Sequence, residues 1–203
     1  MSYATELYEK DVTADPISQF ACWFEDAKTA GLIDHTAMTV ATVSAEGKPA
    51  ARILLLKEFD ENGFVFYTNY ESRKGQELAH NSYASLLFFW DKLARQVRIE
   101  GKTEKVSAVE SDEYFAIRPR ESQLGAWASA QSQMLSSRAE FEAKLQAVTE
   151  KYAGQLVPRP PHWGGYRLKP ESVEFWQGRA NRLHDRLVYR AQGAGWHLER
   201  LSP

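Results

Sequence analysis

The sequence predicts an α+β fold that is mostly β: an antiparallel sheet flanked by helices. Three observations lead there. Strand-length apolar runs rich in β-branched and aromatic residues recur from residue 38 onward, and turn signals of hairpin type separate them. Several of these runs are apolar on both faces: Ile53 and Leu55 point opposite to Leu54 and Leu56, and Leu86, Phe88 and Trp90 opposite to Leu87 and Phe89, because side chains alternate along a strand. One face can fill a barrel, but the other must be covered by helices or by a second subunit. A homodimer is therefore expected.

The elements follow in order. Asp15-Pro16 reads as an N-cap and first helical residue, and Ile17, Phe20, Phe24 and Ala27 recur at helical spacing until Gly31. Met38 to Val43, Ala50 to Phe59 and Phe64 to Thr68 read as a meander of three strands, broken at Ala45-Glu46-Gly47 and at Asp60-Glu61-Asn62-Gly63. Ser72 to Asn81 is polar and of helical length; Tyr83 to Trp90 and Gln96 to Val106 return to strand. Two capping boxes, Ser107-x-x-Glu110 and Ser137-x-x-Glu140, open helices that Pro119 and Gly154 stop. After the proline-rich connector from Val157 to Pro161, Tyr166 to Leu168, Val173 to Trp176, Leu183 to Arg190 and Trp196 to Leu201 are strands, with Gly193-Ala194-Gly195 as the last turn. Residues 1–14 form a short N-terminal segment, and 15–203 a single domain.

Composition narrows the function. With 203 residues, 43% hydrophobic and 26% charged, the chain can build a core without disulfide or metal support. Its net charge of −2 advertises no nucleic-acid partner. One cysteine, Cys22, suits a reducing compartment, and no h-region or spanning run appears, so a cytoplasmic protein without membrane contact is expected.

The sequence has no GxGxxG after a strand, no GxxxxGK[ST], no HExxH, no GxSxG and no CxxC. Its five histidines lack metal-ligand spacing, and no metal is assigned. What remains is cations placed beside apolar strands. In Arg182-Leu183-His184-Asp185-Arg186 the strand period puts Arg182, His184 and Arg186 on one face, suited to an anion or a flat ring; a solvated edge paired with Asp185 and Glu174 fits equally. Ser72-Arg73-Lys74 places two cations in a helix's first turn, where the positive dipole end disfavours them unless an anion is present or they reach solvent. Tyr114 and Arg118 stand four apart, with Ser122 beyond, and could grip one small anion or form a surface pair. Trp176 is by default core. Together these point to a phosphorylated aromatic cofactor.

The segments Arg52-Ile53-Leu54-Leu55-Leu56-Lys57, Phe66-Tyr67-Thr68-Asn69, Ser72-Arg73-Lys74, Arg118-Pro119-Arg120-Glu121-Ser122-Gln123-Leu124-Gly125-Ala126-Trp127, Phe175-Trp176-Gln177-Gly178 and Arg182-Leu183-His184-Asp185-Arg186, in this order, resemble the pyridoxamine (pyridoxine) 5′-phosphate oxidase family. The resemblance runs from about Asp15 to Pro203. It implies an FMN-binding split β-barrel, a homodimer holding FMN between its subunits, and oxidation of pyridoxine or pyridoxamine 5′-phosphate to pyridoxal 5′-phosphate, with O2 reoxidising the flavin to give H2O2. By the same resemblance Arg52, Ile53, Leu54, Leu55, Leu56, Lys57, Tyr67, Thr68, Arg73, Lys74, Gln96, Gln131, Ser132, Trp176 and Arg186 contact FMN. Lys57, Tyr114, Arg118 and Ser122 hold the substrate phosphate, and Arg182 and His184 lie over the substrate ring as the catalytic pair.

Many members carry a basic N-terminal arm with an Arg-x-x-Tyr element. Here fourteen residues precede Asp15 and none is arginine; Tyr3 and Tyr8 are the tyrosines present, at no matching spacing. The implied chemistry is hydride transfer from substrate C4′ to flavin N5, with Arg182 and His184 orienting the substrate and assisting proton loss, a task suited to histidine near neutral pH. The alternatives are a split-barrel flavin reductase with another substrate and a noncatalytic carrier of FMN or pyridoxal phosphate.

Overall fold

The computed structural model describes residues 6–203; Tyr3 lies outside them. Asp15 caps the first helix, α1 (Pro16–Thr29), by accepting from the Ser18 N–H at 2.7 Å, with Pro16 at its first position. Its apolar stripe drives Phe20, Trp23 and Ala27 into the core, as the spacing predicts.

The next strands are β1 (Ala37–Val43), β2 (Pro49–Leu55), β3 (Glu58–Asp60) and β4 (Gly63–Asn69). The expected run from Ala50 to Phe59 breaks at Leu56-Lys57 into two strands, and the three-strand meander does not form. β1 and β2 make a hairpin at one end of the sheet, whereas β4 pairs only with β3 and β7. A turn motif fixes that the chain reverses, not which partner the next strand finds.

Helix α2 (Arg73–His80) is followed by β5 (Tyr83–Trp90) and β6 (Arg95–Lys105), and then by α3 (Ala108–Ala116), α4 (Arg120–Ala128) and α5 (Arg138–Lys151). The Ser107–Glu110 capping box is complete. In the second, Ser137 accepts from the Glu140 N–H, but the Glu140 carboxylate reaches back to the Ser136 N–H at 2.8 Å. Pro119 stops α3 and is also the N-cap of α4, a helix that the sequence pattern does not announce. Proline lacks an N–H, so it costs nothing where that group would be unpaired.

The two strand signals at Tyr166–Leu168 and Val173–Trp176 fuse into one long strand, β7 (Trp163–Gln177), followed by β8 (Asp185–Gln192) and β9 (Gly195–Arg200). All pairings are antiparallel, in the order β2-β1-β5-β6-β7-β4-β3, with β8 and β9 continuing from β7. One edge of β7 is lined by β6; its other edge serves β4 over residues 163–168 and β8 over 172–177. This division decides where the site residues go.

The main core sits between the sheet and α1, built from Phe20, Phe64, Phe66, Phe88, Trp90 and Phe175 among others. A second cluster, Phe115, Leu124, Tyr152, Val157 and Trp163, packs α3–α5 against the start of β7. On the sheet's other face Ile53 and Phe89 are 64% and 61% exposed, as the two-faced strand pattern requires. Among the described residues no helix is long and apolar enough to cross a membrane.

Candidate active site

The expected residues gather in three groups. The first surrounds the start of α2. Ser72 caps the helix, and a side chain on Gly75 would stand 2.1 Å from the Tyr70 carbonyl oxygen, so the first turn lies tight against β4's exit. Lys74 is buried and donates to Thr68 Oγ1 at 3.0 Å, Ser72 Oγ at 3.1 Å and Gln131 Oε1 at 2.7 Å. All three acceptors are neutral. Burial, reinforced by the nearby Arg52 charge and partly offset by Glu77, lowers the Lys74 pKa to about 8. Arg52 reaches over from β2 and Arg73 stands at the helix start, and both meet the buried Glu77, at 3.1 and 2.8 Å. Two arginines thus share one carboxylate beside a lysine that has none, and the surplus positive charge at a helix N-terminus suits a phosphate dianion.

The second group lies around Arg118. A cavity of about 410 Å³ is lined by Lys57, Tyr114, Arg118 and Ser122 together with Leu55 and Ile117. The i, i+4 spacing predicts the tyrosine and arginine on one helix. Instead Arg118 falls just past the end of α3 and Ser122 belongs to α4, so the two-helix corner at Pro119 makes the convergence. The Arg118 Nη1 atom is buried with no hydrogen-bond partner among the described residues, and its guanidinium carbon lies 4.6 Å from the Trp163 ring centroid. Burial pushes the Arg118 pKa down, and among the described residues no carboxylate pairs with it. A desolvated, unpaired guanidinium is a standing demand for an anion.

Tyr67 links these two groups. Its ring stacks on Tyr114 with centroids 3.9 Å apart and on Trp163 at 5.3 Å, while its neighbour Thr68 belongs to the first group. Desolvation pushes the Tyr67 hydroxyl up to about 12, so it is a donor at working pH. Of the β2 run, Leu56 enters the core and Leu54 packs against it, whereas Ile53 and Leu55 face outward. β2 is the last strand of the sheet at that end, which leaves backbone groups on its outer edge open to a ligand.

The third group is elsewhere. Gln96, Trp176 and Arg186 face one another across β6, β7 and β8, and the His184 ring lies 4.5 Å from that of Trp176. The Arg179 N–H donates to His184 Nδ1 at 3.0 Å, so a neutral His184 carries its proton on Nε2. Arg186 grips Glu174 at 2.8 and 3.2 Å, the pairing that the solvated-edge reading allowed. The expected strand from Leu183 begins only at Asp185, so His184 lies outside it and shares no strand face with Arg186, and neither does Arg182. Arg182 lies in a 3-10 turn before β8, with φ of 56° at Asn181 and 63° at Arg182, because the chain must turn sharply between β7 and β8. Arg182 is exposed. Ser132 also has positive φ, 70°, and lies beside Gln131 in the exposed loop between α4 and α5.

Tyr67 faces Gly165 near the start of β7, whereas Trp176 lies eleven positions further along the same strand, up to roughly 36 Å at about 3.3 Å per residue. The third group therefore sits at the opposite end of β7 from the first two. Another cavity, of about 810 Å³, is lined by Thr42, Ser85 and Arg190 among others and contains none of the expected residues.

Sequence reasoning missed Glu77, Trp163 and the Arg98–Glu174 pair, at 2.6 Å. For Glu77 a signal existed: it stands four residues after Arg73 on a helix, the spacing of an ion pair.

Known proteins share this architecture. Residues 24–152 match the family model described as pyridoxamine 5′-phosphate oxidase, and residues 163–203 the model of the pyridoxine 5′-phosphate oxidase C-terminal dimerisation region. Proteins named pyridoxine/pyridoxamine 5′-phosphate oxidase from Cyanothece and Acaryochloris marina are 58% and 59% identical over 197 residues. These alignments cover 97% of this chain in both cases and 92% and 90% of the relatives. Among solved structures, PhzG from Burkholderia lata, in complex with tetrahydrophenazine-1-carboxylic acid, superposes with a TM-score of 0.92 at 30% identity over the whole of both chains. A pyridoxamine 5′-phosphate oxidase-related, FMN-binding protein from Nostoc punctiforme has the same fold, with a TM-score of 0.73 at 17% identity over 98% of this chain and all of that one. The split-barrel architecture is thus the one expected, and the chain belongs to the pyridoxamine 5′-phosphate oxidase family.

Proposed function

We propose that this protein is an FMN-dependent oxidase that converts pyridoxine or pyridoxamine 5′-phosphate to pyridoxal 5′-phosphate as a homodimer. The observation that carries the substrate assignment is the cavity lined by Lys57, Tyr114, Ser122 and Arg118, whose buried Nη1 has no partner among the described residues. A substrate phosphate supplies the missing charge and acceptors. The α2 group fits the phosphate of FMN for the same reason, since Lys74 is buried among neutral acceptors alone. When bound, FMN accepts a hydride from the substrate and returns the electrons to O2.

The chain's own residues have separable tasks. Lys57, Arg118, Tyr114 and Ser122 anchor the substrate by its phosphate, which fixes where its ring lies. Arg182 and His184 orient that ring, Arg182 as a permanent cation and His184 through its Nε2–H, because Nδ1 is already engaged by the Arg179 N–H. Their place at the far end of β7 supports a site between two copies, in which one chain's Gln96, Trp176, His184 and Arg186 cover the phosphate groups of the other. The match of residues 163–203 to a dimerisation region supports the same arrangement.

An absorbance spectrum of the purified protein, then oxygen uptake and peroxide formation with each phosphorylated vitamer, tests this. Flavin absorbance with turnover on either vitamer is expected. Flavin without turnover would point to a reductase or carrier, and a protein unable to take up FMN would refute the flavin reading. The relation to PhzG makes a non-phosphorylated tricyclic acid the useful control; preference for it would refute the Arg118 assignment.

A further inference from the structure

Glu77 lies at the centre of the α2 group, 5% exposed, and none of the binding or catalytic roles above uses it. Its carboxylate accepts from Thr42 Oγ1, from Arg52 Nη2 and from Arg73 Nε. We propose that Glu77 is a positioning residue that fixes the Arg52 and Arg73 guanidinium groups so that their remaining N–H donors meet the phosphate of FMN. This rests on the FMN reading above.

The geometry of each arginine supports it. Arg52 Nη1 is already occupied by the carbonyl oxygens of Val40 and Ala50, at 3.1 and 3.3 Å, and by Thr42 Oγ1. With Nη2 held by Glu77, the group cannot rotate, and Nε has no partner among the described residues. Arg73 is held at Nε alone; its two terminal nitrogens have no partner among the described residues. An unheld arginine carries considerable side-chain rotamer freedom, which anion binding would have to remove. Burial alone would raise the Glu77 pKa, but the bonds from Thr42, Arg73 and Arg52 outweigh it and hold it below the usual carboxylate range. The acid is therefore ionised and leaves one positive charge in surplus, or two when Lys74 is counted.

A carboxylate beside an anion site has two opposed effects. Its charge repels the phosphate, while its hydrogen bonds aim the donors. The sign of its removal separates them. Full-length apoprotein is titrated with FMN and with riboflavin, which lacks the phosphate, following flavin fluorescence. In Glu77→Gln the FMN dissociation constant should rise about tenfold, about 1.4 kcal/mol, with riboflavin binding unchanged. An FMN affinity that holds or improves, or an equal loss for both flavins, would overturn the proposal. Should Glu77→Gln not fold, Arg73→Lys keeps the charge but loses Nε. The same phosphate-selective loss is expected, and undiminished FMN affinity would overturn the proposal. Wild-type protein that binds both flavins equally would refute the underlying cofactor reading as well, whereas a wild type that discriminates between them leaves the result to bear on Glu77 alone.

Discussion

The two anion-binding regions are built on different plans. At α2 every cation has a protein partner: Lys74 has three neutral acceptors, and Arg52 and Arg73 share Glu77. Around Arg118 a buried nitrogen has none. The first region keeps its shape before any ligand arrives, so binding there adds charge balance to a finished frame. The second is completed by its ligand, which relieves a desolvated donor. Preorganised frames suit a group that stays; an unmet donor suits one that comes and goes.

The largest effect should come from breaking the second plan. Arg118→Ala removes the unmet donor, and with charged hydrogen bonds contributing about 1.5 to 3 kcal/mol, KM for the phosphorylated vitamer should rise about ten- to a hundredfold in steady-state oxygen uptake. FMN affinity should stay unchanged, because among the described residues Arg118 makes no direct hydrogen bond or ion pair with the α2 group. Lys74→Met should do the reverse, weakening FMN about tenfold in a fluorescence titration while leaving riboflavin binding alone.

A pH series sharpens the contrast. Burial holds the Lys74 pKa at about 8; below that pH the amine is charged, and above it neutral. A bound phosphate favours the charged form, so FMN binding takes up a proton above pH 8. FMN affinity should be level below pH 8 and fall above it, by at most about tenfold per unit; in Lys74→Met the slope should vanish. The smallest effect concerns the β7–β8 turn. Asn181 has φ of 56°, which asparagine tolerates better than alanine, so Asn181→Ala should cost about 1 kcal/mol. That lowers Tm by about 2 to 4 °C for a domain of this size without changing FMN affinity.

Much of the fold is legible locally. The Asp15 cap, the Ser107–Glu110 box and the strands at Tyr83–Trp90 and Arg95–Lys105 depend on residues a few positions apart, where propensity and periodicity act. The ordered motifs also identify the side chains that carry charge. The differences between sequence and structure have one source. The strand period assigns Arg182 to a strand face, but the turn between β7 and β8 bends the chain at that residue. The meander fails because β4 finds β7, about a hundred residues away, instead of β2.

By itself, then, the sequence determined which residues bear charge, which faces are apolar, where most helices begin, and which family the chain resembles. Only the tertiary structure decided that Lys57, Tyr114 and Ser122 share a cavity with Arg118, that Glu77 holds two arginines, and that Trp176, His184 and Arg186 sit at the far end of β7. The physical reason is range. Periodicity and capping act over one or two turns, whereas an anion site is assembled by strand pairing and helix packing between segments that the chain keeps far apart.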